Sequence, residues 1–111
     1  MATQGIVSVI VNNRVAVKAV AGSDGYNASI LAEEIERKRV TSPEKIFALA
    51  KEVGFGSQDT LVVQSPDVNL FDGDGDLTGL YLDRSKFLDP EFNPRWEQGT
   101  ADYTKIVKFE G

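Results

Sequence analysis

Three carboxylates alternate with glycines in the second half of this sequence, in the run Asp72-Gly73-Asp74-Gly75-Asp76. Oxygen ligands at every second position suit hard cations such as Ca²⁺ and Mg²⁺, and the glycines allow the backbone to fold around an ion. We therefore consider Asp72, Asp74 and Asp76 as candidate metal ligands. The alternative is a solvated turn, because aspartate and glycine are also the residues that turns favour.

The acidic run matches the calcium-binding loop of an EF-hand only in part. Counted from Asp72, position 6 of the loop is Leu77, where the motif requires glycine. Counted from Asp74, position 12 is Ser85, which cannot supply a bidentate carboxylate. The sequence therefore predicts at most a weak Ca²⁺ or Mg²⁺ site, and it indicates no other cofactor.

The same segment resembles the first motif of the haloacid dehalogenase-type phosphatases, an apolar strand followed by Asp-x-Asp-x-Thr. Residues 68–71 correspond to the strand, and Asp74-Gly75-Asp76-Leu77-Thr78 correspond to the motif. The resemblance implies a nucleophilic Asp74, an acid–base Asp76 and bound Mg²⁺. It covers only residues 68–78, and the chain of 111 residues is too short for the parallel sheet of that family. The sequence as a whole therefore does not predict this activity.

A second candidate site lies near the C-terminus, where Phe92, Arg95, Trp96 and Tyr103 are close in sequence. Phe92 and Trp96 are four residues apart, so a helical turn would bring their side chains together. Trp and Arg are enriched where proteins bind partners. We expect these four residues to line a dimer interface or a ligand pocket. The alternative is that they close the core over a sheet.

The composition limits the chemistry that this chain can perform. The 111 residues include neither histidine nor cysteine, which removes the usual general base, thiol nucleophiles, disulfides and most zinc sites. Acid–base catalysis would fall to Asp, Glu, Lys or Tyr. This favours a non-enzymatic binding or structural module for a partner or a small apolar ligand. The alternative is a cofactor-free or metal-assisted enzyme with a pocket between a sheet and the C-terminal aromatic residues.

Charge and hydropathy indicate which partners to expect. The net charge is −5, so we expect no nucleic-acid partner, because phosphate contacts require a basic face. No apolar run approaches the roughly 18 residues of a membrane span, so we expect no membrane partner and a cytoplasmic location. We expect a homodimer, since a sheet in a chain of this size would otherwise leave a face or an edge exposed.

Two runs of β-branched residues, 6–11 and 15–20, flank Asn12-Asn13-Arg14 and predict a β-hairpin. We favour the register that pairs residue 11 with residue 15, because a strict two-residue loop would mix Ser8 into the apolar face. The face opposite the apolar one then carries Ile6, Ser8, Ile10, Ala16, Lys18 and Val20. We expect the side chains of Lys18 and Lys105 to extend into solvent.

Capping signals and apolar patterns place the remaining elements. A helix should run from about Asn27 to Arg39, and a second should begin at Thr41-Ser42-Pro43-Glu44 and end at Gly54. Strands are predicted at 60–64, 68–71 and 103–109, and helical pieces at 84–98. The apolar residues expected to share one core are Val9, Val17, Leu31, Ile35, Phe47, Leu61 and Val63.

This order of elements predicts an α+β fold with a single antiparallel sheet and helices on one face. With the first strand set aside as an extra hairpin strand, the order is β-α-β-β-α-β, which is ferredoxin-like. The alternative is another α+β two-layer sandwich. Residues 1–111 are expected to form a single globular domain.

Overall fold

The computed structural model describes residues 3–22, 25–56, 61–71 and 102–110. These residues form an α+β structure in which two helices pack against one sheet, as the sequence predicts. None of the described helices is long and apolar enough to cross a membrane. A single 3-10 turn, Gly25–Asn27, leads into the first helix. The elements are β1 (Gly5–Val11), β2 (Arg14–Ala21), α1 (Ala28–Lys38), α2 (Pro43–Glu52), β3 (Leu61–Gln64), β4 (Asn69–Phe71) and β5 (Tyr103–Phe109).

The β1–β2 hairpin has the predicted alternation of faces, although its turn differs from the expected one. Asn12-Asn13 form a two-residue loop with φ angles of 52° and 68°, a left-handed conformation that asparagine tolerates. Val11 therefore pairs with Arg14, one residue earlier than predicted. A β-bulge then shifts the register, so that Val9 pairs with Val17 as the predicted faces require.

The first helix begins and ends within one residue of the predicted positions. Arg39 adopts the left-handed conformation, with φ of 53°, and terminates α1. Asn27 occupies the N-cap position, but its side chain does not cap the helix. Its Nδ2 instead donates to the carbonyl oxygen of Gly54 at 3.1 Å, which ties the start of α1 to the end of α2.

The second helix begins at the predicted serine–proline signal. Ser42 is extended at the N-cap and Pro43 lies in the first turn. The Ser42 hydroxyl donates to a Glu44 carboxylate oxygen at 2.9 Å. A backbone hydrogen bond and, after it, this hydroxyl lower the pKa of the Glu44 carboxyl group. The resulting stabilisation is present above the ordinary carboxyl pKa and is lost as the pH falls through the lowered value.

The described strands form a sheet in the order β4-β3-β2-β1-β5. Neighbouring strands are antiparallel except for β1 and β5, which run parallel. In this pair Gly5 lies opposite Tyr103, and Val11 lies opposite Phe109. The described strands form one sheet, in agreement with the prediction, but the prediction that all its strands are antiparallel is wrong.

The strand order also differs from the ferredoxin-like arrangement. That topology would place β2 between β4 and β5, whereas β2 lies between β1 and β3. The hairpin explains the difference, because β1 occupies one side of β2 and β5 pairs with the remaining side of β1. The first strand is therefore central and not an addition to the sheet. The helical pieces expected at 84–98 lie outside the described residues.

One hydrophobic core lies between the two helices and the sheet. Helix α1 packs on β1 and β5, and α2 packs on β2, β3 and β4. At the end of α1, the Arg39 guanidinium lies 5.3 Å from the centroid of the Phe109 ring. The core prediction is confirmed, with Phe47 only partly buried at the margin. The predicted residues fully inside the core are Val9, Val17, Leu31, Ile35, Leu61 and Val63.

Two glycines bring the start of the helix layer into direct contact with the start of β1. A Cβ atom added to Gly25 would lie 2.3 Å from the Gly5 nitrogen and 2.4 Å from the Gln4 carbonyl carbon. The Gly25 N–H donates to the carbonyl oxygen of Thr3 at 2.9 Å, which holds this approach in place. Only glycine fits here, because both neighbours are backbone atoms.

Candidate functional site

Strand β5 forms one edge of the sheet among the described strands, and its bonds to β1 determine the direction of each backbone group. The Tyr103 N–H donates to the carbonyl oxygen of Gln4 at 3.2 Å. At the other end, the Phe109 carbonyl oxygen accepts from the Asn12 N–H at 3.1 Å. In a parallel pair, residues bonded in this way alternate with residues whose backbone groups point to the other side. The odd-numbered residues of β5 are therefore those that bond to β1.

The even-numbered residues of β5 are Thr104, Ile106 and Lys108, and their N–H and C=O groups point away from β1. No described strand lies on that side of the sheet. A row of outward backbone donors and acceptors is a template for the addition of another strand. The edge of β5, defined by these three residues, is therefore a candidate association surface.

Large side chains are exposed on both faces of β5. Ile106 is 42% exposed on the face away from the helices, and Tyr103 is 44% exposed on the helix face. Lys105 and Lys108 are also exposed. Lysines on an edge strand disfavour indiscriminate pairing, since like charges repel when they lie opposite each other. The exposed Tyr103 and Ile106 thus offer apolar area to a partner strand, while Lys105 and Lys108 limit the registers in which that strand can pair.

The opposite edge of the described sheet offers less to a partner. Strand β4 has only three residues, Asn69–Phe71, against seven in β5. A tight turn precedes β4, in which the Ser65 N–H donates to the carbonyl oxygen of Val68 at 2.9 Å. The length of β5 makes it the stronger candidate of the two edges.

A second candidate feature is a buried polar row on the face of the sheet away from the helices. Ser8, Lys18 and Gln64 lie side by side on β1, β2 and β3, since Lys18 pairs with both of the others. Their relative exposures are 0%, 0% and 1%. The expectation that Lys18 extends into solvent is therefore wrong, whereas Lys105 is exposed as predicted.

Apolar residues flank this polar row on the same face of the sheet. Ile6, Val20 and Val62 share its face and are themselves at most 3% exposed. Neither described helix packs on this face, and yet the central strands are buried on both sides. An ammonium group in such surroundings costs several kcal/mol unless other groups compensate for its lost hydration. Ser8 and Lys18 both have interaction partners.

The sequence contains a pattern that indicates the burial of Lys18, although the alternation of apolar and polar residues along one strand does not show it. The predicted hairpin register places Ser8 and Lys18 on the same face as Ile6, Ile10 and Val20. A solvated face of an antiparallel sheet should be mostly polar, whereas strands covered on both faces are apolar throughout. The apolar neighbours of Lys18 therefore indicated a second buried face, and with it a buried lysine.

The helices form a third feature, an open cleft of about 260 Å³ where the end of α1 meets α2. Charged side chains of both signs line it beside apolar residues of α2 and the interhelical loop. The cleft contains none of the residues that the sequence singled out. Its lining residues are Lys38, Val40, Lys45, Ala48, Leu49 and Glu52.

Of the four residues predicted to bind a ligand or partner, the structure describes only Tyr103. It is the first residue of β5 and adjoins Thr104 of the candidate association surface. Phe92, Arg95 and Trp96 lie outside the described residues, and so do the candidate metal ligands Asp72, Asp74 and Asp76. Within the described ranges, no group of three or more acidic residues could hold a metal ion.

Comparison of the chain with protein-family models, with curated proteins and with solved structures finds no match.

Proposed function

We propose that this protein is a non-enzymatic binding module that acts as a homodimer, and that the edge of β5 is its association surface. One observation carries the proposal. Thr104, Ile106 and Lys108 direct their backbone donors and acceptors to the side of β5 on which no described strand lies, beside an exposed Ile106 side chain. Pairing with another strand would satisfy these groups and bury apolar area in one step.

Two further observations support association through an edge over association through a face. The central residues of the second face are already buried within one chain, as the 0% exposure of Ile6 and Val20 illustrates. A dimer is therefore not required to cover that face. The edge of β5, by contrast, leaves Tyr103 and Ile106 nearly half exposed.

The variant Ile106→Pro tests this proposal directly. The Ile106 N–H points away from β1, so proline removes an outward donor without removing a bond to β1, and prolines are tolerated at such edge positions. We expect wild-type protein to sediment as a dimer and Ile106→Pro to weaken dimerisation at least about tenfold, the equivalent of about 1.4 kcal/mol. Circular dichroism should show that the variant remains folded.

Ile106→Val is the matched control, because it keeps the outward N–H and a β-branched side chain. It should retain the dimer. Wild-type protein that remains monomeric at millimolar concentration would contradict the proposal. So would a folded Ile106→Pro variant that dimerises as well as wild type does.

A second candidate function is supported by the buried polar row. A small-molecule or catalytic site on the second face would use Lys18, which is fully buried and pairs with Ser8 and Gln64 on the neighbouring strands. Desolvated lysines serve in enzymes as bases and as amines that form imines with carbonyl substrates. This is the enzymatic alternative, and it requires Lys18 to be reached by a ligand.

A small aldehyde probe distinguishes this candidate from a structural role. The Lys18 amine would condense with the carbonyl of glyoxylate and lose water, and borohydride would reduce the imine to a secondary amine. Peptide mass mapping should then find Lys18 modified in preference to an exposed control such as Lys45. Modification of exposed lysines with Lys18 intact would leave Lys18 as a structural residue.

A further inference from the structure

We infer that the two copies pair through β5 strands that run antiparallel, with Ile106 of each copy on the two-fold axis. The inference rests on the proposed homodimer and specifies its interface. It follows from the direction of the backbone groups, the length of the strand and the positions of its lysines.

The backbone restricts the register first. Only even-numbered residues of β5 point their N–H and C=O groups outward, so an even-numbered residue of one copy must lie opposite an even-numbered residue of the other. Because successive residues alternate between faces, this also keeps equivalent faces on the same side. The dimer is therefore one continuous sheet whose helices all lie on one side.

The positions of the lysines disfavour two of the remaining alignments of the two β5 strands. Centring the pair on Lys105 would place Lys105 of each copy directly opposite the other, in the closer type of antiparallel pair. Centring it on Lys108 would place the two Lys108 residues opposite each other in a hydrogen-bonded pair. Like charges directly opposite each other are destabilising. Both registers are therefore disfavoured.

The length of β5 distinguishes among the registers centred on Thr104, Ile106 and Val107. Centring on Ile106 pairs the whole strand, Tyr103–Phe109, with the whole strand of the second copy. Centring on Thr104 or Val107 leaves part of each strand without a counterpart. In the Val107-centred pair, for example, Thr104 would face Glu110, which lies beyond the end of β5. The Ile106-centred register therefore makes the most hydrogen bonds.

The same register makes favourable side-chain pairs. Ile106 meets Ile106 of the second copy on the face away from the helices, and Tyr103 meets Phe109 of the second copy on the helix face. Aromatic pairs across neighbouring strands stabilise a sheet. Lys105 faces Val107 of the second copy, and its nearest like charge lies one diagonal step away. The interface thus explains why Tyr103 and Ile106 are exposed in one chain.

Cysteine cross-linking tests the register, because the chain has no cysteine of its own. In the inferred dimer the Cα atoms at position 106 are about 5.5 Å apart, whereas those at position 108 are about 14 Å apart, four residues along the strands. A short thiol-bridging reagent should therefore cross-link Ile106→Cys at least about tenfold faster than Lys108→Cys. Thr104→Cys is a second control at the same separation as position 108.

Sedimentation of the wild type and of each cysteine variant shows whether the protein is a dimer under the cross-linking conditions. A dimer that cross-links fastest at 104 or 108, or at none of the three positions, would overturn the register while leaving the proposed homodimer intact. A monomeric wild-type protein would overturn both. These outcomes distinguish a wrong register from a wrong function.

The variant Thr104→Glu provides an independent test that needs no cross-linking. In the Ile106-centred register, the new carboxylate faces Lys108 of the second copy, and the symmetry makes two such pairs. Opposite charges across strands should tighten the dimer roughly 2- to 30-fold. In the Val107-centred register the carboxylate would face Glu110 and weaken the dimer. Unchanged or weaker dimerisation of Thr104→Glu would therefore contradict the inference.

Discussion

Replacing Gly25 with alanine should lower the free energy of unfolding by about 3 kcal/mol or more, the upper end of the range for overpacked sites. The added Cβ would lie 2.3 Å from the Gly5 nitrogen, a distance that requires the backbone to move. Moving it would break the bond from the Gly25 N–H to Thr3 and disturb the strand that pairs with β5. Chemical denaturation followed by circular dichroism measures the effect.

Gly54→Ala is a suitable control for this prediction. Gly54 also has no side chain, and its φ of 78° disfavours other residues, but a Cβ there would meet only the Asn27 side-chain nitrogen at 3.3 Å. We expect a cost of about 1–2 kcal/mol from the left-handed backbone alone. If Gly25→Ala costs no more than Gly54→Ala, the close contact between Gly25 and β1 is incorrect.

Replacing Lys18 with methionine should be the second most damaging change, at about 2–4 kcal/mol. Methionine approximates the length and volume of the lysine side chain but removes the ammonium group. Lys18 has an interaction partner and is 0% exposed, so its loss leaves a polar group in a buried place without its counterpart. The midpoint of urea denaturation measures the effect.

Lys105→Met is the matched control, since Lys105 lies in a neighbouring part of the sheet but is exposed. Surface substitutions of this kind usually change stability by less than about 0.5 kcal/mol. Equal effects of the two substitutions would show that Lys18 is solvated, as the sequence alone suggested. A much larger effect at Lys18 would confirm that the second face is buried.

The local elements could be predicted because their signals are local. The position of the hairpin turn within residues 12–14, the Ser42-Pro43 start of α2 and the β-branched run of β5 each depend on a few adjacent residues. The faces of the hairpin were also correct, although the expected register arose differently. The β-bulge restores the predicted pairing of Val9 with Val17 although the loop is one residue shorter than expected. The apolar pattern, and not the turn, therefore determined which residues face the core.

The sheet order could not be predicted in the same way. Strands β1 and β5 are separated by most of the chain, and nothing in their periodicity shows that they run side by side and parallel. The ferredoxin-like prediction treated the first strand as an addition, because element order contains no information on which edge a last strand joins. The burial of Lys18 was missed because the hairpin was read as having one solvated face.

The candidate association surface follows from that unpredicted pairing. The sequence suggested a dimer and singled out Tyr103, but the outward direction of Thr104, Ile106 and Lys108 depends on which side of β5 meets β1. Six other candidate residues lie outside the described residues, so their predicted roles stay predictions: Phe92, Arg95, Trp96, Asp72, Asp74 and Asp76.

The most direct test of the homodimer is amide hydrogen exchange of β5 measured by NMR at two protein concentrations. Amides of Tyr103, Lys105 and Val107 bond to β1 and should be protected at both concentrations. Amides of Thr104, Ile106 and Lys108 should be protected only at the concentration at which the dimer forms, and should exchange faster on dilution. Fast exchange of these three amides at both concentrations would contradict association through the edge of β5.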